Sequence, residues 1–195
     1  MPEPRQPLVL ASASPRRLDL LARIGIVPDR VIATDIDETP FRGELPRPHA
    51  LRLTQAKAEA AAQQAPAAIV LAADTVVAVG RRILPKAETE AEARRCLHLI
   101  SGRRHRVTTA VVLALPDGRR LKRVAESAVT FQRLTDQQIA CYIASGEWQG
   151  KAGGYAIQGR AESFIRFLSG SHSNVVGLPL FETAQLLRGI GWLRP

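Results

Sequence analysis

The chain has 195 residues, of which 46% are apolar and 5% aromatic, with a formal net charge of +9. That length can bury a sizeable core as a single domain over residues 1–195, and no apolar run approaches the roughly 18 residues that cross a bilayer. The start, Met1-Pro2-Glu3-Pro4-Arg5, lacks a signal-peptide layout, so a cytoplasmic protein with no membrane partner is expected.

Leu8–Ala11 is a short apolar run that reads as a buried strand. Ser12-Ala13-Ser14-Pro15-Arg16-Arg17 follows, then Leu18, Leu20, Leu21 and Ile24 at helical spacing. A strand, a hydroxyl-rich turn and a helix opened by proline bring backbone N–H groups, Ser12, Ser14, Arg16 and Arg17 to one helix N-terminus, which attracts phosphate. The alternative is an ordinary serine N-cap followed by proline at the first helical position.

Gly25 ends that helix, and Arg30–Ala33 reads as a second strand running into an acidic turn, Asp35-Ile36-Asp37-Glu38. Pro46 and Pro48 open an alanine-rich helix, about His49 to Gln64, that carries Lys57. Ala67–Ala73 is continuous and apolar, as a strand covered on both faces would be, and it is expected to end at Asp74. Val76–Leu84 reads as a hairpin around Gly80, and Glu88–Ile100 as an amphipathic helix stopped by Gly102. Arg106–Leu115 and Arg119–Phe131 alternate with period two around Asp117-Gly118, the strongest hairpin signal in the chain. Thr135–Ser145 is a predicted helix, Glu162–Leu168 a strand and Leu180–Arg188 a closing helix. Alternating strands and helices followed by an antiparallel pair imply an α/β fold with a mixed, twisted sheet flanked by helices. Charged groups at strand ends would then line one cleft.

The positive charge is spread as pairs (Arg81-Arg82, Arg94-Arg95, Arg103-Arg104, Arg119-Arg120) rather than gathered in one tract. With few aromatics to stack bases, a nucleic-acid partner is disfavoured. Arginine is preferred 23 to four over lysine, so the retained Lys57, Lys86, Lys122 and Lys151 point to a need for compact, mobile charge. Cys96 and Cys141 each fall in an amphipathic helix and read as reduced core residues. His49, His98, His105 and His172 show no zinc-ligand spacing, and there is no Walker loop.

Asp74 directly follows an apolar strand, where rigid backing suits a general base or metal ligand; the alternative is a capping aspartate. Glu38 is either a solvated turn residue or an oxygen ligand. Lys57 on its alanine-rich helix is either a solubilising residue or a point charge. Gln158 lies among Gly153, Gly154 and Gly159, which allow close backbone approach to a ligand, and its amide offers a donor and an acceptor to a base edge.

Two further segments have the character of the first: Ala72-Ala73-Asp74-Thr75-Val76-Val77 with Lys86 after it, and Lys151-Ala152-Gly153-Gly154-Tyr155-Ala156-Ile157-Gln158-Gly159, followed by Ser173-Asn174-Val175-Val176-Gly177-Leu178-Pro179. In that order they resemble the Maf family of nucleoside triphosphate pyrophosphatases over almost the whole chain. The form of the Lys151–Gly159 segment resembles the branch acting on dTTP and UTP.

The resemblance implies two lobes around a deep cleft, as in inosine triphosphatase-like folds, and commonly a homodimer. It makes Asp74 the catalytic carboxylate and Glu38 its partner on a divalent cation, magnesium or manganese. A triphosphate's charge calls for such an ion, and one or two carboxylates, phosphate oxygens and water suffice to hold it. Asp35 and Asp37 stand as alternatives to Glu38. The resemblance also puts Lys57, Lys86 and Lys151 in the site and Arg16, Thr75 and Gln158 around the nucleotide, and it implies a role in clearing modified or surplus pyrimidine nucleotides. Two departures stand out: Leu84-Pro85-Lys86-Ala87 has its proline before the lysine rather than after it, and Gly150 precedes Lys151 where the family usually has an aspartate. A basic nucleic-acid-binding module and a nucleotidyltransferase are the competing functions.

Overall fold

The computed structural model describes residues 5–193. Met1–Pro4, most of the segment read as lacking a leader, lie outside the described residues. The chain runs through β1 (Leu8–Ala11), α1 (Pro15–Arg23), β2 (Arg30–Ile32), α2 (Pro46–Gln64), β3 (Ile69–Val79), β4 (Arg82–Leu84), β5 (Lys86–Ala87) and α3 (Glu90–Ile100). It continues through β6 (Arg104–Ala114), β7 (Arg120–Phe131), α4 (Asp136–Ala144), β8 (Lys151–Ala152), a 3-10 turn (Arg160–Phe164), β9 (Ile165–Ser169), α5 (His172–Val176) and α6 (Leu180–Gly189).

A seven-stranded mixed sheet has the order β2-β1-β3-β6-β7-β9, with β4 paired to β3. β1 is parallel to β2 and β3, and the remaining pairings are antiparallel. The expected mixed, helix-flanked sheet is therefore what forms. Among the described residues no helix is long and apolar enough to cross a membrane.

Because strand side chains alternate, β3 faces two cores at once. Val70 and Ala72 pack under α2 with Val9, Ala58, Ala61 and Val112. Leu71, Ala73 and Val77 point the other way, into the larger core with Leu20, Leu21, Leu97, Ile100, Val111 and Phe131. Each large side chain fully buried there contributes about 1.5–3 kcal/mol. α3 and α4 are each opened by a capping box, Thr89 with Glu92 and Thr135 with Gln138. These reciprocal bonds satisfy amides that the helix leaves open.

Four expectations are corrected. The third strand does not stop at Asp74 but runs on to Val79, because its antiparallel pairing with β6 continues past that residue (Asp74 opposite Ala110, Ala78 opposite Arg106). What ends near Asp74 is the parallel neighbour: β1 pairs as far as Ala11 with Ala72 and then turns away, opening the sheet edge beside Asp74. Glu162–Phe164 belongs to the 3-10 turn, and the strand begins at Ile165. Cys141 is exposed, unlike the buried Cys96, because it lies on the solvent side of α4 while Tyr142 and Ile143 fill the core. The close approach allowed by Gly153 and Gly154 is to the core rather than to a ligand: a Cβ at Gly153 would stand 2.8 Å from Val77 Cγ1, and one at Gly154 3.2 Å from Ala93 Cα.

His105 is buried in the larger core, edge-on to Phe131 and Tyr155, with Nε2 2.8 Å from the Tyr155 hydroxyl. Burial there pushes its pKa down to about 4. A base whose pKa falls on folding adds stability above its unfolded value, near 6.5, and that stability is lost as pH drops toward 4. The loss is on the order of 3 kcal/mol at most. Urea titrations between pH 7 and 4 are expected to show this decline, and His105→Phe is expected to flatten it. A wild-type slope unchanged in the variant would assign the acid sensitivity elsewhere.

Candidate active site

A cleft of about 370 Å³ opens at the carboxyl end of β1, and every site residue named from the sequence lines it, apart from the alternatives Asp35 and Asp37. Ser12, Ser14, Arg16 and Arg17 come from the β1–α1 turn, Glu38 from the loop after β2, Lys57 from α2, and Asp74 and Thr75 from β3. Lys86 stands on β5, Lys151 on β8, and Gln158 on the loop beyond; Val175, Val176 and Gly177 also line the cleft.

At the turn, Ser14 occupies the N-cap position of α1 but its hydroxyl makes no cap bond, and Pro15 takes the first turn. Ser12 Oγ accepts from the Ser14 amide (3.1 Å) and from Arg17 Nη1 (2.9 Å), which leaves the serine proton free to donate outward. Arg17 is buried, and its Nε donates to the Gly177 carbonyl at 2.9 Å, so it fastens the turn to the segment after α5. Burial lowers its pKa while Asp74 opposes the shift.

Arg16 and Lys151 both line the cleft and are half-buried. Each is held below its ordinary pKa, first by desolvation, and Lys151 also by the charge of Arg16. Two desolvated cations facing one cleft favour an anion between them.

The opposite character prevails under α2. Lys57 is buried, which excludes the solubilising role, and its Nζ donates to Glu38 Oε1 at 2.6 Å and Asp74 Oδ1 at 2.5 Å. Lys86 Nζ donates to Glu38 Oε2. Desolvation alone would raise the Glu38 carboxyl, but hydrogen bonds from Lys57 and Lys86 bring it down to about 2. Asp35 and Asp37, the alternatives, are exposed; Asp37 accepts from the Thr39 amide at 2.9 Å and serves its own loop.

Among the described residues no three His, Cys, Asp or Glu converge as a ready-made metal cage. Asp74 and Glu38 nevertheless flank one positive charge, Lys57 Nζ, which shows that two hard oxygen donors can be satisfied together by a cation at this point.

The two sequence departures have local explanations. Lys86 lies in a two-stranded ribbon, paired with Ala152, and the Pro85 carbonyl accepts from the Gly153 amide at 3.0 Å, so the lysine reaches Glu38 without a following proline. Gly150 adopts φ +62° and its amide donates to the Ala87 carbonyl at 2.9 Å. β5 and β8 were not expected from the sequence, being two residues each. Thr109 and Asn174 behind the cleft also went unassigned, although Thr108-Thr109 within an apolar strand was a visible signal.

A family model described as Maf-like protein matches residues 7–190, and the chain belongs to the Maf family. Among its relatives are proteins named dTTP/UTP pyrophosphatase. The one from Granulibacter bethesdensis is 65% identical over 95% of this chain and 94% of its own. That from Novosphingobium aromaticivorans is 63% identical over 94% and 92%, and that from Caulobacter vibrioides 62% over 95% and 96%. Solved structures offer a weaker likeness, for example a nucleoside-triphosphatase / dITP/XTP pyrophosphatase from Mycobacterium abscessus, with a TM-score of 0.43 at 17% identity over 95% of either chain.

Proposed function

We propose that this protein is a nucleoside triphosphate pyrophosphatase that hydrolyses dTTP and UTP between the α and β phosphates, releasing the monophosphate and pyrophosphate. The observation that carries the reading is that one cleft gathers two kinds of charged group. Arg16 and Lys151 line it without a carboxylate of the described residues in salt-bridge contact, while two carboxylates held by lysines, Asp74 and Glu38, line it as well. The names of the relatives support the choice of substrates.

Asp74 Oδ1 is anchored by Lys57, which orients the carboxylate so that Oδ2 takes the proton of a water attacking the α phosphorus in line. The bond from that phosphorus to the bridging oxygen breaks, and the electron pair leaves with pyrophosphate. Ser12 donates to a phosphate oxygen, Arg16 and Lys151 hold the chain of phosphates, and Lys57 and Lys86 offset charge as it moves onto the leaving group. Asp74 and Glu38 would hold a magnesium or manganese ion together with phosphate oxygens; when bound, that ion offsets phosphate charge. Gln158 reads the base through its amide. The same activity would clear surplus or modified pyrimidine nucleotides, as the family resemblance implies.

Incubation with dTTP or UTP and a divalent cation is expected to yield pyrophosphate as the primary product; diphosphate with orthophosphate would refute the assignment. UTP is expected to be preferred over CTP, whose ring nitrogen at the imide position accepts instead of donating, and Gln158→Ala is expected to narrow the kcat/KM ratio. An unchanged ratio would make Gln158 a loop residue.

A further inference from the structure

Behind the cleft wall runs a set of hydrogen bonds that fixes the direction of one hydroxyl. Asn174, fully buried on α5, donates through Nδ2 to the Val107 carbonyl (3.1 Å) and to Ser127 Oγ (2.9 Å). Its backbone carbonyl accepts from Thr109 Oγ1 at 3.1 Å, while the amides of Gly177 and Leu178 both donate to Ser173. Thr109, fully buried on β6, is the cross-strand neighbour of Thr75, and the two hydroxyl oxygens lie 2.9 Å apart.

A threonine hydroxyl has one proton and two lone pairs. Thr109 commits its proton to Asn174, so in its contact with Thr75 it accepts and Thr75 donates. The other acceptor beside Thr75 is the Gly177 carbonyl, at 3.4 Å. That distance lies beyond the ordinary range of an O–H···O bond, so the Thr75 proton goes to Thr109 and lone pairs are left to the cleft. Ser12, across the turn, has the reverse polarity, since its oxygen already accepts twice. Thr75 and Gly177 both line the cleft.

Ionised phosphate oxygens accept and do not donate, so an acceptor-only hydroxyl disfavours them and suits an N–H or O–H. We infer that Thr109 is a positioning residue for substrate choice: by taking the Thr75 proton it presents Thr75 as an acceptor to a donor on the nucleoside. That donor is either the imide N–H of the base or a sugar hydroxyl. The inference rests on the pyrophosphatase reading above.

The test measures kcat/KM for two substrate pairs, UTP with CTP and dTTP with its analogue lacking the sugar hydroxyl, in wild type, Thr109→Val and Thr109→Ser. Both members of a pair are assayed on one preparation, so the ratio does not depend on how much enzyme is folded. Thr109→Val is expected to move one ratio toward unity by about 10-fold, the scale of one misdirected hydrogen bond in a buried setting, and Thr109→Ser to keep the wild-type value. A shift in the first ratio assigns the donor to the base, and a shift in the second assigns it to the sugar. If Thr109→Val does not fold, Thr75→Val removes the acceptor itself and is read in the same way. Unmoved ratios in the valine variants that fold, or an equal shift in Thr109→Ser, would overturn the inference. Failure of the wild type to release pyrophosphate from any triphosphate would overturn the functional reading and the inference with it.

Discussion

Asp74→Asn is expected to slow pyrophosphate release by at least about 100-fold, the scale of losing a general base. The substitution changes volume little, and the asparagine Oδ1 can still accept from Lys57, so the cleft should keep its shape. What is lost is the ability to take a proton and one of the two negative charges around Lys57 Nζ. Thermal unfolding near that of the wild type, with kcat reduced, is the predicted pattern. A variant turning over near the wild-type rate would place the base elsewhere, with Glu38 the next carboxylate in reach of the cleft.

Lys57→Met is expected to damage both stability and turnover. The lysine is the cation between Glu38 and Asp74, and Asp74 is only 3% exposed, so its removal leaves a buried carboxylate without its partner. Such a loss costs about 3–5 kcal/mol, which lowers Tm by on the order of 10 °C in a chain of this size. Combining it with Asp74→Asn removes the stranded charge, so the double variant is expected to melt higher than Lys57→Met alone while staying inactive. Equal melting of Lys57→Met and wild type would show that the pair contributes nothing in solution. Lys57→Arg keeps the charge, but a planar guanidinium does not fit a site built around one ammonium, so it too is expected to impair turnover.

Much of the site is legible in the sequence. The β1–α1 turn announced itself through local order: an apolar run, two serines, a proline, two arginines and then helical spacing. The Asp117-Gly118 hairpin did likewise, with Gly118 at φ +89° and the Asp117 side chain accepting from the Arg119 amide. These signals are local, and the forces behind them act within a few residues.

Where the reading failed, partners distant in sequence had the deciding influence. An aspartate after an apolar run looks like the end of a strand, yet β6 carries β3 past it. α4 is too short for its periodicity to show that Cys141 faces solvent. The glycines of the Lys151–Gly159 segment looked like room for a ligand, but what they accommodate is Val77 and Ala93.

The sequence by itself therefore determined most of the elements, the mixed-sheet class, the family and the charged and hydroxyl groups expected in the cleft, because periodicity and turn chemistry are properties of neighbouring residues and motif order is carried by the chain itself. Only the tertiary structure decided which charges neutralise each other and which way each hydroxyl points. Lys57 meets Asp74 across 17 positions, Lys86 meets Glu38 across 48, and Thr109 meets Asn174 across 65. A buried ammonium is tolerated where carboxylates converge on it, and a hydroxyl's one proton goes to whichever acceptor packing brings within reach.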